Sequence, residues 1–251
     1  MDRKPIILIT AEDINNATGN VYIMNKEYGN AVREAGGIPA AACNYKGIAE
    51  YAELGDALII CDGPQMHPAR YGGLADRPDD LMGFSQTRDD FDFGILDAFV
   101  KAGKPVLGIN RGALVINAYF GGKIAKGIPP RMIVGGKMMD SPMGGYSETA
   151  ATWSVYNHTY GTQKLSVEAG SRLEKYVPDG SVVNTFQTQA VKDLAPCLKL
   201  MAKSEDGVIE AFEHESLPVI GIQWNPEHPC EGYTPDGAVY RMFVDMVKEG
   251  K

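Results

Sequence analysis

The 251-residue chain is poor in cysteine and histidine and contains no long apolar run. Its four cysteines lack Cys-x-x-Cys spacing, and its four histidines lack the helical spacing of metal ligands. We therefore expect no disulfide framework, no metal and no cofactor. The N-terminal apolar run at residues 6–10 is too short for a signal peptide, and no stretch has the length of a membrane span. A cytoplasmic protein without a membrane partner is predicted.

The chain also lacks an excess of basic residues. It has 24 Lys and Arg against 32 Asp and Glu, for a formal net charge of -8 at pH 7, and its basic residues form no cluster. Nucleic acid is therefore not expected as a partner, because binding it requires a basic surface. A small-molecule ligand is the predicted partner. The length and the absence of a linker-like composition break favour a single domain over residues 1–251.

Short apolar runs alternate with amphipathic segments in the first half. The runs indicate strands at residues 6–10, 38–42, 57–61 and 105–110. The segments indicate helices at residues 21–35, 48–54, 89–102 and 113–120. This order is typical of an α/β fold with a doubly wound, mostly parallel sheet.

The second half has strand-like runs with short connections, which predict added antiparallel strands. These runs lie at residues 152–156, 181–185, 198–202, 208–212 and 219–223. A final amphipathic helix is predicted over residues 236–249. The Gly-, Pro- and Met-rich segment 123–147 is predicted to wrap the surface or the mouth of a site.

The fourth strand ends in a turn that points to a functional site. Asn110 lies between Gly108 and Gly112, where the strand passes into a helix. Such a strand-turn-helix elbow lifts one side chain above the edge of the sheet, and in α/β hydrolases that side chain is the nucleophile. An amide cannot attack a carbonyl carbon as a thiolate does. The elbow therefore predicts a catalytic scaffold with altered chemistry.

Several motifs taken together resemble the γ-glutamyl-hydrolase-like branch of class I glutamine amidotransferases, also called peptidase family C26. They are AVREAGGIP (31–39), DGPQMHPARYG (62–72), LGINRGALVINAYFGG (107–122) and GIQWNPE (221–227). The resemblance covers nearly the whole chain and implies a flavodoxin-like fold. It is also compatible with a homodimer.

The chain departs from this family at the catalytic positions. Members use a cysteine in the elbow, and a histidine and a glutamate in a Trp-His-Pro-Glu run. Here the elbow holds Asn110, the histidine position holds Asn225, and only Glu227 matches. In the family triad the histidine polarises the thiol and the glutamate orients the histidine. The resemblance thus implies the loss of both nucleophile and base.

Further departures fall on the positions that shape the pocket in the family. The Gly-Gly loop that supplies an oxyanion-hole amide is Asp62-Gly63 here, and a carboxylate would repel a developing oxyanion. The glutamine that follows the elbow is Leu114, and the His-His-Gln run begins with Gln187. Glutamyl recognition and catalysis are therefore expected to have changed together.

Three functional hypotheses follow. In the leading one, Asp62 and Glu227 share a pocket and perform acid-base chemistry on a small polar metabolite. In the second, the protein is a catalytically silent binding or regulatory protein, in which Asn110 and Asn225 bind a ligand or satisfy each other. In the third, γ-glutamyl amide hydrolysis persists through a rescuing thiol, either Cys61 or Cys230.

Other residues are candidates for the walls of the site. Gly63, Leu114 and Gln187 are predicted to contact substrate because they occupy the family's pocket positions. His67 is a candidate proton carrier, although a surface histidine is the simpler interpretation. Arg111 is a candidate substrate contact or, alternatively, a brace for a carboxylate such as Asp92.

Overall fold

A mixed sheet of 11 strands organises the protein. The computed structural model describes residues 3–16, 19–43, 45–73, 84–126, 131–134, 137–140, 162–184, 189–205, 207–228 and 237–250. In chain order the strands and α-helices are β1 (Ile6–Thr10), β2 (Glu12–Asn16), β3 (Gly19–Ile23), α1 (Lys26–Glu34), β4 (Ile38–Ala42), α2 (Ile48–Leu54), β5 (Ala57–Ile60), α3 (Gln86–Lys101), β6 (Val106–Ile109), α4 (Arg111–Tyr119), β7 (Lys123–Lys126), β8 (Arg131–Val134), β9 (Lys137–Asp140), β10 (Thr162–Val167), β11 (Val182–Asn184), β12 (Gln189–Asp193), β13 (Leu198–Ser204), β14 (Ile209–His214), β15 (Val219–Ile222) and α5 (Ala238–Glu249). Short 3₁₀ turns lie at Pro68–Tyr71 and Leu173–Lys175.

The parallel part of the sheet carries the elbow. The strand order is β11-β10-β13-β14-β15-β6-β5-β1-β4, and β12 joins β14 to β7. The five strands from β15 to β4 pair in parallel, whereas the remaining pairs are antiparallel. The predicted doubly wound α/β fold with added antiparallel strands is confirmed.

Alternating side chains of the parallel strands bury both faces of the sheet. Ile7 and Ile9 of β1 pack in one core with residues of α1 and α5, while Leu8 packs in the other with residues of α3 and α4. These side chains are at most 1% exposed. Helices on both faces leave the carboxyl ends of the strands as the edge where loops can assemble a site.

The first helix starts later than the sequence pattern predicts. The pattern predicts a helix from residue 21, but residues 21–23 belong to β3, which pairs with β2 in a separate hairpin. Helix α1 begins only at Lys26, because the side chain of Asn25 caps it by accepting a hydrogen bond from Glu27 N at 3.0 Å. The exposed stretch before Asn25 resembles a helix in its apolar spacing alone.

The Gly- and Met-rich segment contains more regular structure than expected. Strand β7 pairs with β12, and β8 pairs with β9 in a second hairpin. The strand predicted at residues 152–156 lies outside the described residues. No helix in the described part of the chain has the length and apolar character needed to cross a membrane.

Candidate active site

The elbow between β6 and α4 has the strained backbone expected of a nucleophile position. Asn110 has φ 50° and ψ -107°, and no other described non-glycine residue has a positive φ. Its backbone N donates to Ile222 O at 2.8 Å. A Cβ on Gly112 would lie 2.0 Å from Ile60 O, so glycine is required for α4 to pack this closely on β5. Asn110 is thereby held at the carboxyl edge of the sheet.

A chain of hydrogen bonds joins the three residues at the triad positions. Asn110 Nδ2 donates to Asn225 Oδ1 at 2.8 Å, and Asn225 Nδ2 donates to Glu227 Oε1 at 2.8 Å. All three side chains are buried. Tyr240 Oη donates to Glu227 Oε2 at 3.3 Å. Two neutral amides are thus hydrogen-bonded to each other at the positions that the resemblance assigns to a thiol and an imidazole.

Asn184 fixes the backbone around Asn225. Its Oδ1 accepts from Asn225 N at 2.9 Å, and its Nδ2 donates to Asn225 O at 2.8 Å and to His228 O at 2.7 Å. Asn184 lies at the end of β11, 41 residues away along the chain. No motif in the sequence indicates this contact, because strand pairing alone brings β11 near the loop after β15.

Asp62 presents its carboxyl group to the elbow. It follows β5 and is only partly buried. Asp62 Oδ2 accepts from Asn110 Nδ2 at 3.4 Å, and Oδ1 accepts from Gly63 N at 2.8 Å. The backbone N of Asp62 donates to Tyr28 Oη at 3.1 Å. The resemblance assigns the Gly63 N–H to an oxyanion hole. Here that N–H donates its hydrogen bond to the Asp62 carboxylate.

The two carboxyl groups of the site have raised pKa values. The pKa of Asp62 is raised to about 6, mainly by desolvation on burial and also by the charge of Glu227, while the hydrogen bond from Gly63 opposes the shift. Burial also raises the pKa of Glu227, and hydrogen bonds from Asn225, Tyr28 and Tyr240 oppose that shift. The Asp62 side chain is more exposed to solvent than that of Glu227, which is buried and accepts a hydrogen bond from the Asn225 amide.

Arg111, which follows Asn110 in the chain, belongs to a network of buried ion pairs. Arg111 forms hydrogen-bonded ion pairs with Asp92 and Asp89, and Arg88 Nε donates to both carboxylate oxygens of Asp92 at 2.9 Å. Arg88 Nη2 also donates to Thr10 Oγ1 at 2.9 Å. Arg111 is 3% exposed and both aspartates are fully buried. The structure therefore places Arg111 as a brace between α3 and α4.

The other predicted substrate contacts lie in different environments. Gly63 is partly buried, and a Cβ there would lie 3.2 Å from Arg88 Nη1. His67 Nδ1 accepts from Ala69 N at 3.1 Å, and its ring packs edge-on against Phe84. Leu114 is 2% exposed and packs in the hydrophobic core. Gln187 lies outside the described residues, as does Cys230.

The Cys61 thiol is inaccessible. Cys61 is 5% exposed, and Sγ donates to Thr10 O at 2.9 Å. Burial raises the pKa of this thiol, although the positive charge of Arg88 opposes the shift. A reactive cysteine requires the opposite environment, one that favours the thiolate at neutral pH.

Comparison with known proteins places this geometry in a family context. The family model of peptidase C26 matches residues 5–227. A glutamine amidotransferase-like protein, YvdE, of Lactococcus lactis is 29% identical over 206 residues, covering 79% of this chain and 77% of that protein. Gamma-glutamyl-gamma-aminobutyrate hydrolase PuuD of Escherichia coli is 26% identical over 231 residues, covering 88% and 85%.

A solved structure shows the same fold. The crystal structure of a candidate GMP synthase subunit from Thermoplasma acidophilum aligns with a TM-score of 0.63 at 17% sequence identity. The alignment covers 99% of this chain and 97% of that one. The overall architecture is therefore that of class I glutamine amidotransferases.

Proposed function

We propose that this chain, which belongs to the peptidase C26 family, is a hydrolase-like enzyme working without a cysteine nucleophile, because the family resemblance assigns the thiol and imidazole positions to two amides, Asn110 and Asn225. In this proposal the Asp62 carboxylate performs acid-base chemistry on a small polar metabolite. The observation that carries it is the position of Asp62: a partly exposed carboxyl with a pKa raised to about 6, facing the elbow residue Asn110 at 3.4 Å.

The geometry supports Asp62 as the proton acceptor. With a pKa near 6 it is largely ionised at neutral pH, yet it is a stronger base than an ordinary aspartate. The Gly63 amide holds one carboxylate oxygen and leaves the other near the Asn110 amide. In the proposed step, Asp62 accepts a proton from the substrate or from an attacking water and returns it to the product.

Glu227 has an indirect part in this proposal. Its two carboxylate oxygens accept from Asn225 and Tyr240, so it orients the amide chain and does not face a substrate. This revises the expectation that Glu227 shares the acid-base work with Asp62. Glu227 is a positioning residue that holds Asn225, and through it Asn110.

A silent binding protein is the second candidate function. It is favoured by the closed chain of hydrogen bonds between Asn110, Asn225 and Glu227, because their mutual contacts leave fewer groups for a substrate. Saturable binding of a metabolite without turnover is its expected signature. In the third hypothesis, hydrolysis through a rescuing Cys61 or Cys230, the choice of Cys61 conflicts with the burial of that thiol and its raised pKa.

An untargeted turnover screen tests the proposal. Purified protein is incubated with a bacterial metabolite extract, and metabolites are followed by mass spectrometry. The variants are Asp62→Asn, Glu227→Gln and, as a matched control, Glu205→Gln, which changes an exposed carboxylate away from the site. The proposal predicts a metabolite that is consumed by the wild type and the control, about 100-fold more slowly by Asp62→Asn, and with an intermediate loss in Glu227→Gln.

Two outcomes overturn the proposal. A metabolite consumed equally by the wild type and Asp62→Asn removes Asp62 from the chemistry. A metabolite that is retained but never consumed identifies the binding protein. A parallel assay on γ-glutamyl amides, before and after thiol alkylation, tests the third hypothesis, which is eliminated if both measurements are blank.

A further inference from the structure

A second titratable side chain lies on the loop that contains Glu227. His228 is partly buried, and its backbone N donates to Asn225 O at 3.0 Å. The Asn184 side chain binds the carbonyl oxygens of both Asn225 and His228. The backbone of His228 is thus fixed relative to the amide chain of the site. The residue directly follows Glu227 in the sequence, a position to which no sequence motif assigns a role.

The N-cap of α1 determines where the His228 ring carries its proton. Asn25 Oδ1 accepts a hydrogen bond from Glu27 N at 3.0 Å, so the orientation of the Asn25 amide is set by the backbone. The atom that faces His228 Nε2, at 3.2 Å, is therefore Nδ2, which can only donate. An accepting Nε2 carries a lone pair, and the ring proton then resides on Nδ1. This arrangement is that of a neutral imidazole.

The same helical turn also contacts Asp62. Tyr28 follows Asn25 on α1, and its hydroxyl accepts from Asp62 N at 3.1 Å and is hydrogen-bonded to Glu227. Burial lowers the pKa of His228, and the negative charges of Glu27 on α1 and of Asp62 in the loop after β5 oppose that shift. Asn25 and Tyr28, three residues apart at the start of α1, thus contact the His228 ring and the backbone of Asp62, which places both residues against the same end of the helix.

We propose that His228 is a positioning residue of the site: Asn25 holds its ring neutral, and the neutral ring leaves Asp62 a stronger proton acceptor than a charged ring would. The physical reason is that an imidazolium beside a carboxylate stabilises the ionised form and weakens it as a base. The effect on catalysis rests on the function proposed above for Asp62. The proposed protonation state of His228 does not depend on that function.

Substitution of Asn25 reverses the hydrogen bond without removing the helix cap. In Asn25→Asp, the carboxylate still caps α1, because aspartate is as good an N-cap as asparagine. The aspartate carboxylate can only accept hydrogen bonds, however. It therefore favours a proton on His228 Nε2 and stabilises the positively charged form of the ring. Asn25→Ser is the matched control, since serine also caps the helix but lacks the amide that faces the ring.

Nitrogen NMR of the histidine rings in the full-length protein tests this inference directly. The chain has only four histidines, and His228→Gln assigns the signal. In the wild type near pH 7.5, Nε2 of His228 is expected to be unprotonated and Nδ1 protonated. In Asn25→Asp, the pKa of His228 is expected to rise, while in Asn25→Ser it stays below that of the aspartate variant. In Asp62→Asn, loss of the facing carboxylate is expected to lower the pKa of His228 relative to the wild type.

The NMR result and the activity result can be separated. Protonation of Nε2 in the wild type, or identical His228 titrations in Asn25→Asp and Asn25→Ser, overturns the inference whatever the activity. If turnover is found, Asn25→Asp should retain about two- to threefold more of its pH 8 activity at pH 5 than the wild type does, because Asp62 then ionises at lower pH. An unchanged pH profile, alongside the expected NMR shifts, overturns the link to Asp62. Loss of the Asp62 dependence in the turnover screen instead overturns the proposed function alone.

Discussion

At the scale of single residues, Asp62 is where the chain departs most from acyl-transfer chemistry. The family resemblance assigns Asp62 to a glycine position of the oxyanion-hole loop, and an aspartate there introduces negative charge where negative charge would develop. The structure adds that the Asp62 carboxylate binds the neighbouring Gly63 amide and so withdraws it from any substrate. Asp62 therefore occupies the Gly63 amide and presents a carboxyl group of raised pKa to the elbow.

The raised pKa of Asp62 predicts how its removal affects stability. The folded-state pKa of about 6 lies above the usual value near 4, so ionised Asp62 destabilises the fold at pH above 6, and the penalty vanishes below about pH 4. Asp62→Asn should therefore raise the free energy of unfolding at pH 8, by on the order of 1–2 kcal/mol. Urea denaturation followed by circular dichroism at pH 5 and pH 8 measures it.

The pH dependence distinguishes this effect from a general change in packing. The stability gained by Asp62→Asn should be clearly smaller at pH 5 than at pH 8, whereas Glu205→Gln, at an exposed position, should change stability little at either pH. A gain of the same size at both pH values would show that ionisation of Asp62 is not its cause.

At the scale of elements, the β6-α4 elbow combines close packing with strain. Gly108 and Gly112 let α4 approach the sheet, since a Cβ at either position would lie within 2.5 Å of backbone atoms. Asn110 between them holds a positive φ, a conformation that asparagine tolerates better than most residues. The elbow geometry thus persists although its side chain cannot act as a nucleophile.

Two substitutions at Asn110 measure the backbone strain. Asn110→Gly and Asn110→Ala both remove the hydrogen bonds to Asn225 and Asp62, but only alanine adds a Cβ at positive φ. The alanine variant should unfold with a free energy about 1 kcal/mol lower than the glycine variant. Chemical denaturation of the pair checks this. Equal stability would mean that the elbow relaxes at no cost.

At the scale of the whole molecule, the buried ion network ties the site to the fold. Arg111 of α4 pairs with Asp89 and Asp92 of α3, Arg88 of α3 pairs with Asp92, and Arg88 also donates to Thr10 at the end of β1. Buried pairs of this kind depend on every partner, because removing one leaves a charge without compensation. Arg88 also donates to Cys61 O at 3.5 Å, so the network contacts the carboxyl ends of both β1 and β5.

Asp92→Asn tests the contribution of the network to stability. The variant leaves two buried guanidinium groups with a weaker partner, and we expect a loss of about 3–5 kcal/mol in the free energy of unfolding. Asp97→Asn is the matched control on the same helix, since its pair with Lys101 is largely exposed and should contribute less than about 1 kcal/mol. Comparable urea midpoints for the two variants would contradict the prediction.

The local pattern of apolar residues predicts the strands of the parallel core but does not predict the hairpins. The runs around Ile7, Leu58 and Leu107 are apolar at every position, which is typical of strands buried on both faces. The sequence pattern does not indicate the β2-β3 hairpin, because most residues of β3 are exposed and the apolar residues Val21 and Met24 are three positions apart, as on one face of a helix. Pairing across the hairpin, which periodicity does not encode, decided the outcome.

The sequence by itself determined the fold class and the place of the elbow, because periodicity, glycine spacing and motif order are local properties of the chain. The family resemblance assigned residues to the triad positions. Only the tertiary structure decided what those residues contact. In the folded protein, Glu227 is hydrogen-bonded to Asn225, and Asp62 to Asn110. Asn184 and Asn25 form hydrogen bonds with His228. These contacts join residues up to 203 positions apart. Hydrogen-bond partners and ionisation states at such separations depend on burial and geometry that exist only after the chain has folded.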